Sequence, residues 1–260
     1  MTDQAVLMET RGAVAVVTIN AFEMRNSMGA PGVRDGLLAA IERFENDAAL
    51  RVFVLTGSGG VFSAGGNLDA LRKIRDLDKI RERLKGGGPL LERILTSDKL
   101  YVSAVEGPAF GAGLGLAAAC DLMVAAEGAR FCAAQIRVGA APDGSLMWSL
   151  PFRVGTGPAR RILLTGEEVN LDDAVRIGLV DVRADKGEAL AVAMRHAERL
   201  AAGPPLAQAY IKRQFADLAA GLSERLDEER ETAARTFVSD DFLEGASAFL
   251  EKRKARFKGE

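Results

Sequence analysis

Apolar positions recur along this chain in two alternating rhythms. Residues 13–19 (Ala-Val-Ala-Val-Val-Thr-Ile) and 52–56 are short β-branched runs closed by polar residues or glycine, which predicts strands. Between them Val33, Leu37, Leu38, Ile41 and Phe44 repeat at helical spacing, predicting a helix over 31–46. The alternation returns as a strand over 101–105, a helix over 111–119, a strand over 121–125 and a short strand near 130–133. Short helices are expected over 157–164 and 171–177. Strands interleaved with helices at this pace predict an α/β core with parallel pairing.

From about residue 187 the texture changes. Residues 187–201, 205–220, 222–236 and 241–254 read as helices with few strand signals. The last carries Phe242, Leu243, Ala246, Phe249 and Leu250 on one stripe. Such a stripe is expected to pack on its own core or on a neighbouring subunit. We therefore divide the chain into a core over 1–195 and a C-terminal helical region over 196–260. The charged stretch 71–85 is expected to be a mobile cover, and Gly86-Gly87-Gly88 opens the segment before the next helix.

Composition narrows the function classes. The chain has 260 residues and 48% apolar content, enough for one large domain with a substantial core. Its 34 basic and 36 acidic residues nearly cancel, which argues against a nucleic-acid surface. The basic cluster Lys252-Arg253-Lys254, with Arg256 and Lys258, suits a solvated helix end. Cys120 and Cys132 lie in apolar surroundings and read as buried free thiols. With His196 as the single histidine, neither a histidine zinc site nor a histidine triad is expected, so no metal is assigned. The start lacks a basic region followed by an apolar stretch, and no apolar run approaches a bilayer span. These features predict a cytoplasmic protein with no membrane partner.

The chemistry is carried by two glycine-dense turns, each fed by a strand. The first runs from Val52-Phe53-Val54-Leu55-Thr56-Gly57 to Phe62-Ser63-Ala64-Gly65-Gly66-Asn67-Leu68. The second runs from Val102-Ser103-Ala104-Val105-Glu106-Gly107 to Phe110-Gly111-Ala112-Gly113-Leu114-Gly115-Leu116. Glycine lets backbone approach a ligand closely, and helix starts present unpaired N–H donors. Two such turns facing each other would grip one developing oxyanion. A dinucleotide fingerprint at 111–116 is incomplete, because Leu116 stands where the pattern asks for its third glycine, and it would leave the first turn unexplained.

In order and spacing, several segments resemble the crotonase superfamily, the enoyl-CoA hydratase/isomerase family. They are Arg25-Asn26-Ser27-Met28, the Ala64 to Leu68 turn, Glu106 to Leu122, Gly139 to Gly155, Leu164-Thr165-Gly166, Ala174 to Val180 and Ala248 to Lys254. The resemblance implies a spiral of β-β-α repeats with a C-terminal helical region, assembled as a homotrimer or hexamer. It implies an acyl-CoA thioester as substrate, so coenzyme A arrives with the substrate and no separate cofactor is expected. It places the two oxyanion donors at the backbone N–H groups of Gly66 and Ala112, with Ala64 and Leu68 beside the coenzyme. Arg25 is either a contact for the coenzyme's phosphates or adenine region, or a surface arginine. Lys252 and Phe249 are either coenzyme contacts contributed by a neighbouring subunit, or a helix-end lysine and a core phenylalanine.

The departures from the family pattern are equally informative. Hydratases of the family hold and activate water with two glutamates, and alignment puts those positions at Gly115 and Gln135. Glycine cannot transfer a proton, and a neutral amide is no base at neutral pH. One acid remains nearby, Asp143 in Pro142-Asp143-Gly144. Family members that shift double bonds or rearrange ring-derived thioesters carry an aspartate in a similar context. Pro-Asp-Gly is equally a favoured turn, and an aspartate here can cap a helix. Double-bond isomerisation is the expected activity. Hydration by a non-standard base, thioester hydrolysis or decarboxylation, and a weakly active coenzyme-binding scaffold stay open beside it. Asp69 is expected in a first helical turn, Asp121 as a strand-edge cap, and Trp148 in the core or against the acyl group.

Overall fold

The computed structural model describes residues 4–71, 73–74, 76–85, 88–216, 240–241, 244–245, 248 and 251–260. The chain opens with a hairpin, β1 (Val6–Arg11) and β2 (Val14–Ile19), followed by α1 (Val33–Asn46) and β3 (Val52–Gly57). Three helices then lead to the next strand: α2 (Leu68–Leu71), α3 (Leu77–Lys85) and α4 (Gly88–Thr96). β4 (Leu100–Val105), β5 (Pro108–Phe110), α5 (Ala112–Ala118), β6 (Leu122–Ala126) and β7 (Arg130–Cys132) form the centre. After them come α6 (Leu146–Val154), α7 (Thr156–Thr165), β8 (Val169–Asn170), α8 (Leu171–Arg176) and β9 (Val182–Ala184). Among the described residues the remaining long helices are α9 (Ala189–Ala201) and α10 (Pro205–Ala216). The expected helix over 222–236 and most of 241–254, including the Phe242 to Leu250 stripe, lie outside the described residues.

Six strands form one sheet in the order β1-β2-β3-β4-β6-β9, and β5-β7-β8 form a second. Only the β1–β2 pair of the large sheet is antiparallel; β2 to β9 run parallel. Parallel strands are covered on both faces, which is why β2, β3 and β4 read as nearly continuous apolar runs. One face of β2 sends Ala15, Val17 and Ile19 into the larger core beneath α1, where Val33, Leu37, Ile41 and Phe44 are buried. The other face sends Val14 and Val16 toward α9, against Val192, Ala193 and Ala197. Phe44, Phe53 and Tyr101 pack as a ring cluster with centroids 5.1–5.5 Å apart.

Asp121, just ahead of β6, does more than cap a strand edge. Its carboxylate accepts the Tyr101 amide at 2.8 Å and pairs with the buried Lys212 ammonium at 2.8 Å, which also donates to the Lys99 carbonyl. This links α10 to the start of β4. Burial outweighs these partners and raises the Asp121 carboxyl above its ordinary range. Trp148 departs from the expected core position: it is 41% exposed on α6 and packs tilted against exposed Phe152, with ring centroids 4.9 Å apart.

A buried asparagine fixes the segment ahead of α1. Arg25 and Asn26 both take the left-handed conformation (φ 51° and 53°), which asparagine tolerates better than most residues. Asn26 is fully buried; its Oδ1 accepts the Ala21 amide, and its Nδ2 donates to the carbonyls of Ser58 (2.9 Å) and Val61 (2.6 Å). Truncating this side chain strands buried polar groups on both sides. Asn26→Ala should therefore lower the unfolding free energy by about 3 kcal/mol. Urea denaturation of the variant checks this, and a loss within experimental error would show that the asparagine is dispensable.

Candidate active site

The two glycine turns leave the C-terminal ends of β3 and β4 and meet. Phe62 and Ser63 donate from their amides to the Pro108 carbonyl at 3.1 Å, and Phe110 donates back to the Ser63 carbonyl at 2.9 Å. Two missing side chains permit the contact. A Cβ on Gly65, whose φ is 85°, would stand 2.5 Å from the Phe110 carbonyl oxygen and 3.1 Å from the Ala112 nitrogen. A Cβ on Gly113 would stand 2.6 Å from the Ser63 carbonyl oxygen. Real side chains do not tolerate such distances, so both positions demand glycine.

The Arg25-Asn26-Ser27-Met28 motif laces the first turn from beneath. Ala64 donates to the Arg25 carbonyl (3.0 Å), Ser63 Oγ to the Asn26 carbonyl (2.7 Å), and Ser27 Oγ and Met28 N both to the Gly65 carbonyl (2.8 Å). Ser63 Oγ in turn accepts the Gly65 amide at 3.1 Å. With its neighbours so tied, Gly66 is exposed, and its N–H donates to none of the described residues. Ala112 opens α5, where an N–H has no acceptor within the helix, and it too donates to none of them. The structure thus brings Gly66 and Ala112 to adjoining turns with unused donors. Ala64 and Leu68 belong to the first turn and Arg25 adjoins it through the Ala64 amide, with Arg25 exposed and Leu68 55% exposed at the start of α2. Asp69 occupies the first turn of α2, as the pattern predicts.

Beside Ala112 lies a cavity of about 180 Å³. Its walls are Met28, Leu84 of α3, Leu90 and Leu91 of α4, and Leu116 of α5, with Asp143, Gly144, Ser145 and Arg34 as the polar part. Leu84, Leu90 and Leu91 supply much of its apolar part. Asp143 is exposed, and its Oδ1 accepts a hydrogen bond from Gln135 Nε2 at 2.8 Å. Its side chain is not the helix cap: Ser145, left-handed at φ 65°, holds the N-cap position of α6 without a side-chain capping bond. The Gln135 Oε1 atom is buried and has no partner among the described residues.

The place of the first hydratase glutamate is closed. The Gly144 carbonyl oxygen occupies the space in which a Cβ on Gly115 would stand, so no side chain fits at 115 with the 140–145 loop where it is. Ser145 Oγ adds a 3.3 Å bond to the Gly115 carbonyl, holding the loop on α5.

Lys252 and the two cysteines stand outside this cavity. Lys252 is exposed, left-handed at φ 55°, and does not line the cavity. It belongs to a tail whose Phe257 carbonyl accepts a 3.0 Å bond from Arg51, at the opposite end of β3 from the glycine turn. Phe249 lies outside the described residues. Cys120 and Cys132 are buried free thiols, and burial pushes Cys120 up to about 12 and raises Cys132, so neither offers a thiolate near neutral pH. Among the described residues no group of three or more potential ligands could hold a metal, and no helix is long and apolar enough to cross a membrane. Sequence reasoning missed Ser63 as the pivot of both turns and Arg34 as a cavity residue. A serine flanked by apolar residues and an arginine in a first helical turn carry no signal of their own.

Comparison with known proteins agrees with this architecture. The family model described as Enoyl-CoA hydratase/isomerase matches residues 9–260. A probable enoyl-CoA hydratase of Rhodobacter capsulatus is 35% identical over all of both chains. A putative enoyl-CoA hydratase of Thermus thermophilus is 36% identical over 95% of this chain and 98% of its own. Among solved structures, an enoyl-CoA hydratase from a Polaromonas species superposes with a TM-score of 0.91 at 34% identity, covering 97% of this chain and 99% of that one. The β-β-α spiral, the meeting of the two turns and a sequence match along nearly the whole length lead to one assignment: the chain belongs to the enoyl-CoA hydratase/isomerase family.

Proposed function

We propose that the protein binds an acyl-CoA thioester, stabilises its enolate with the N–H groups of Gly66 and Ala112, and shifts a carbon–carbon double bond with Asp143 as the proton carrier. The observation that carries this reading is the 140–145 loop. Its Gly144 carbonyl fills the space needed by an acid at 115, while its Asp143 stands in the cavity beside Ala112. The relatives named above are called hydratases, and water addition in this family relies on two acids. Gly115 and Gln135 supply neither.

In a 3-enoyl thioester, Asp143 would take a proton from the carbon next to the carbonyl. The electron pair then spreads over a dienolate whose oxygen carries the charge, within reach of the two amides. The same carboxyl returns the proton to the distal carbon, giving the conjugated 2-enoyl thioester with no water consumed. Gln135 suits this cycle. A neutral amide donates its N–H to the ionised carboxylate and, turned over, presents its unpartnered Oε1 to the protonated acid. Arg25, Ala64 and Leu68 would follow the coenzyme along the first turn. Lys252 and Phe249 would reach it from a neighbouring copy in a trimer or hexamer.

Three outcomes test the reading. Asp143→Asn should cut isomerisation of 3-enoyl-CoA by about 100-fold or more while acyl-CoA affinity stays within a few-fold; undiminished turnover would remove Asp143 from the mechanism. Gln135→Glu places a second carboxylate against the first, so the two resist simultaneous ionisation and the acidic limb of the pH–rate profile should move to higher pH by roughly one unit or more. An unmoved limb would detach Gln135 from the base. Wild-type protein should add water to crotonyl-CoA slowly or not at all, and Gly115→Glu should lower stability by about 1–3 kcal/mol through overpacking without restoring hydration. Hydration at the rate of an ordinary hydratase would mean that another base acts.

A further inference from the structure

Arg34 stands in the same cavity and is unexplained by the proton transfer. It occupies the first turn of α1, where the positive end of the helix dipole disfavours a cation. Its Nη1 donates to the Arg83 carbonyl of α3 at 2.8 Å. That bond uses one of five guanidinium donors, and among the described residues no carboxylate pairs with Arg34. Asp143 lines the cavity too, yet the two charges form no ion pair. Besides Gly144 and Ser145, whose hydroxyl already bonds the Gly115 carbonyl, the rest of the wall is apolar, from Met28 to Leu116. A half-buried guanidinium in such surroundings gains most from a planar anion that takes two of its donors at once.

We infer that Arg34 selects acyl-CoA thioesters whose acyl chain ends in a carboxylate. This rests on the acyl-CoA reading above and names its substrate class. The acyl group enters past Ala112, and its reacting carbons lie near Asp143. Its distal end then meets either apolar wall or the arginine. A hydrocarbon tail leaves the free donors facing hydrocarbon, an unfavourable pairing in a small, partly closed space. A terminal carboxylate satisfies them. It must settle at the Arg34 end, because like charges repel it from Asp143. The fork of Arg34 therefore orients the chain as well as holding it.

The test uses two saturated thioesters of equal chain length, glutaryl-CoA and valeryl-CoA. Neither contains a double bond to move, so binding is read apart from catalysis. Titration calorimetry with the full-length protein should show glutaryl-CoA binding about tenfold more tightly than valeryl-CoA, the scale of one charge-assisted interaction. Arg34→Met should bring the two affinities to within about threefold, and Arg34→Lys, which keeps the charge without the fork, should retain part of the preference. Free coenzyme A should bind Arg34→Met as it binds wild type. If wild type binds both thioesters equally, or Arg34→Met keeps the preference, the inference is overturned. Equal weakening of free coenzyme A and glutaryl-CoA by Arg34→Met would assign the arginine to the coenzyme's phosphates and overturn it as well. Should neither thioester bind wild type, the acyl-CoA reading itself fails and takes this inference with it.

Discussion

The site depends on how closely two stretches of backbone approach each other. Ser63 is the pivot. Its amide donates to Pro108, its carbonyl accepts Phe110, and its hydroxyl joins the Asn26 carbonyl to the Gly65 amide. Gly65 and Gly113 leave the space that this contact needs. The neighbours of Gly66 are tied to the framework, while the amides of Gly66 and Ala112 donate to none of the described residues. Donors fixed in this way need no reorganisation when charge develops opposite them, which is the main advantage of main-chain stabilisation. The parallel sheet contributes by ending β3 and β4 side by side, so that both turns start from neighbouring strands.

The second constraint is the 140–145 loop, which cannot lie where it does unless residue 115 lacks a side chain. The two departures from the hydratase pattern are thereby coupled. Gly115 admits the Gly144 carbonyl, and the loop so admitted carries Asp143 to the cavity. Gln135 completes the exchange. A glutamate there would set two carboxylates against each other at hydrogen-bonding distance, whereas the amide donates to Asp143 at 2.8 Å. On the proposed mechanism, the departures at 115 and 135 form one rearrangement of the site around Asp143.

Much of this was legible in the chain, for identifiable reasons. β2, β3 and β4 are covered on both faces and read as apolar runs; α1 buries one stripe and reads as a helix. β1 gave no signal, because it is an edge strand whose side chains are mostly exposed. β5, β8 and β9 are two or three residues long, and their pairing is set by tertiary contacts. Trp148 was misplaced because hydrophobicity alone does not say which side of α6 faces the core. The glycine turns announced themselves through composition. The closure at Gly115 did not, since it depends on a carbonyl 29 positions further along the chain.

The amides and the cavity walls rest on different supports, and this separates chemistry from selectivity. Gly66 and Ala112 are held by the Asn26–Ser63 lattice and by strands of the central sheet. Leu84, Leu90 and Leu91 come from α3 and α4. These helices are tied to α1 by the Arg34–Arg83 bond and by the Arg93–Glu45 pair, 2.7 Å apart. Replacing a wall residue changes the volume and polarity offered to the acyl chain without passing through the bonds that aim the two donors. The proposed enolate centre could therefore serve different acyl groups through changes confined to α1, α3 and α4, which is how a single fold comes to carry many substrate ranges. Arg34 lies where these two systems meet: its helix packs on the sheet, and its side chain turns to the wall.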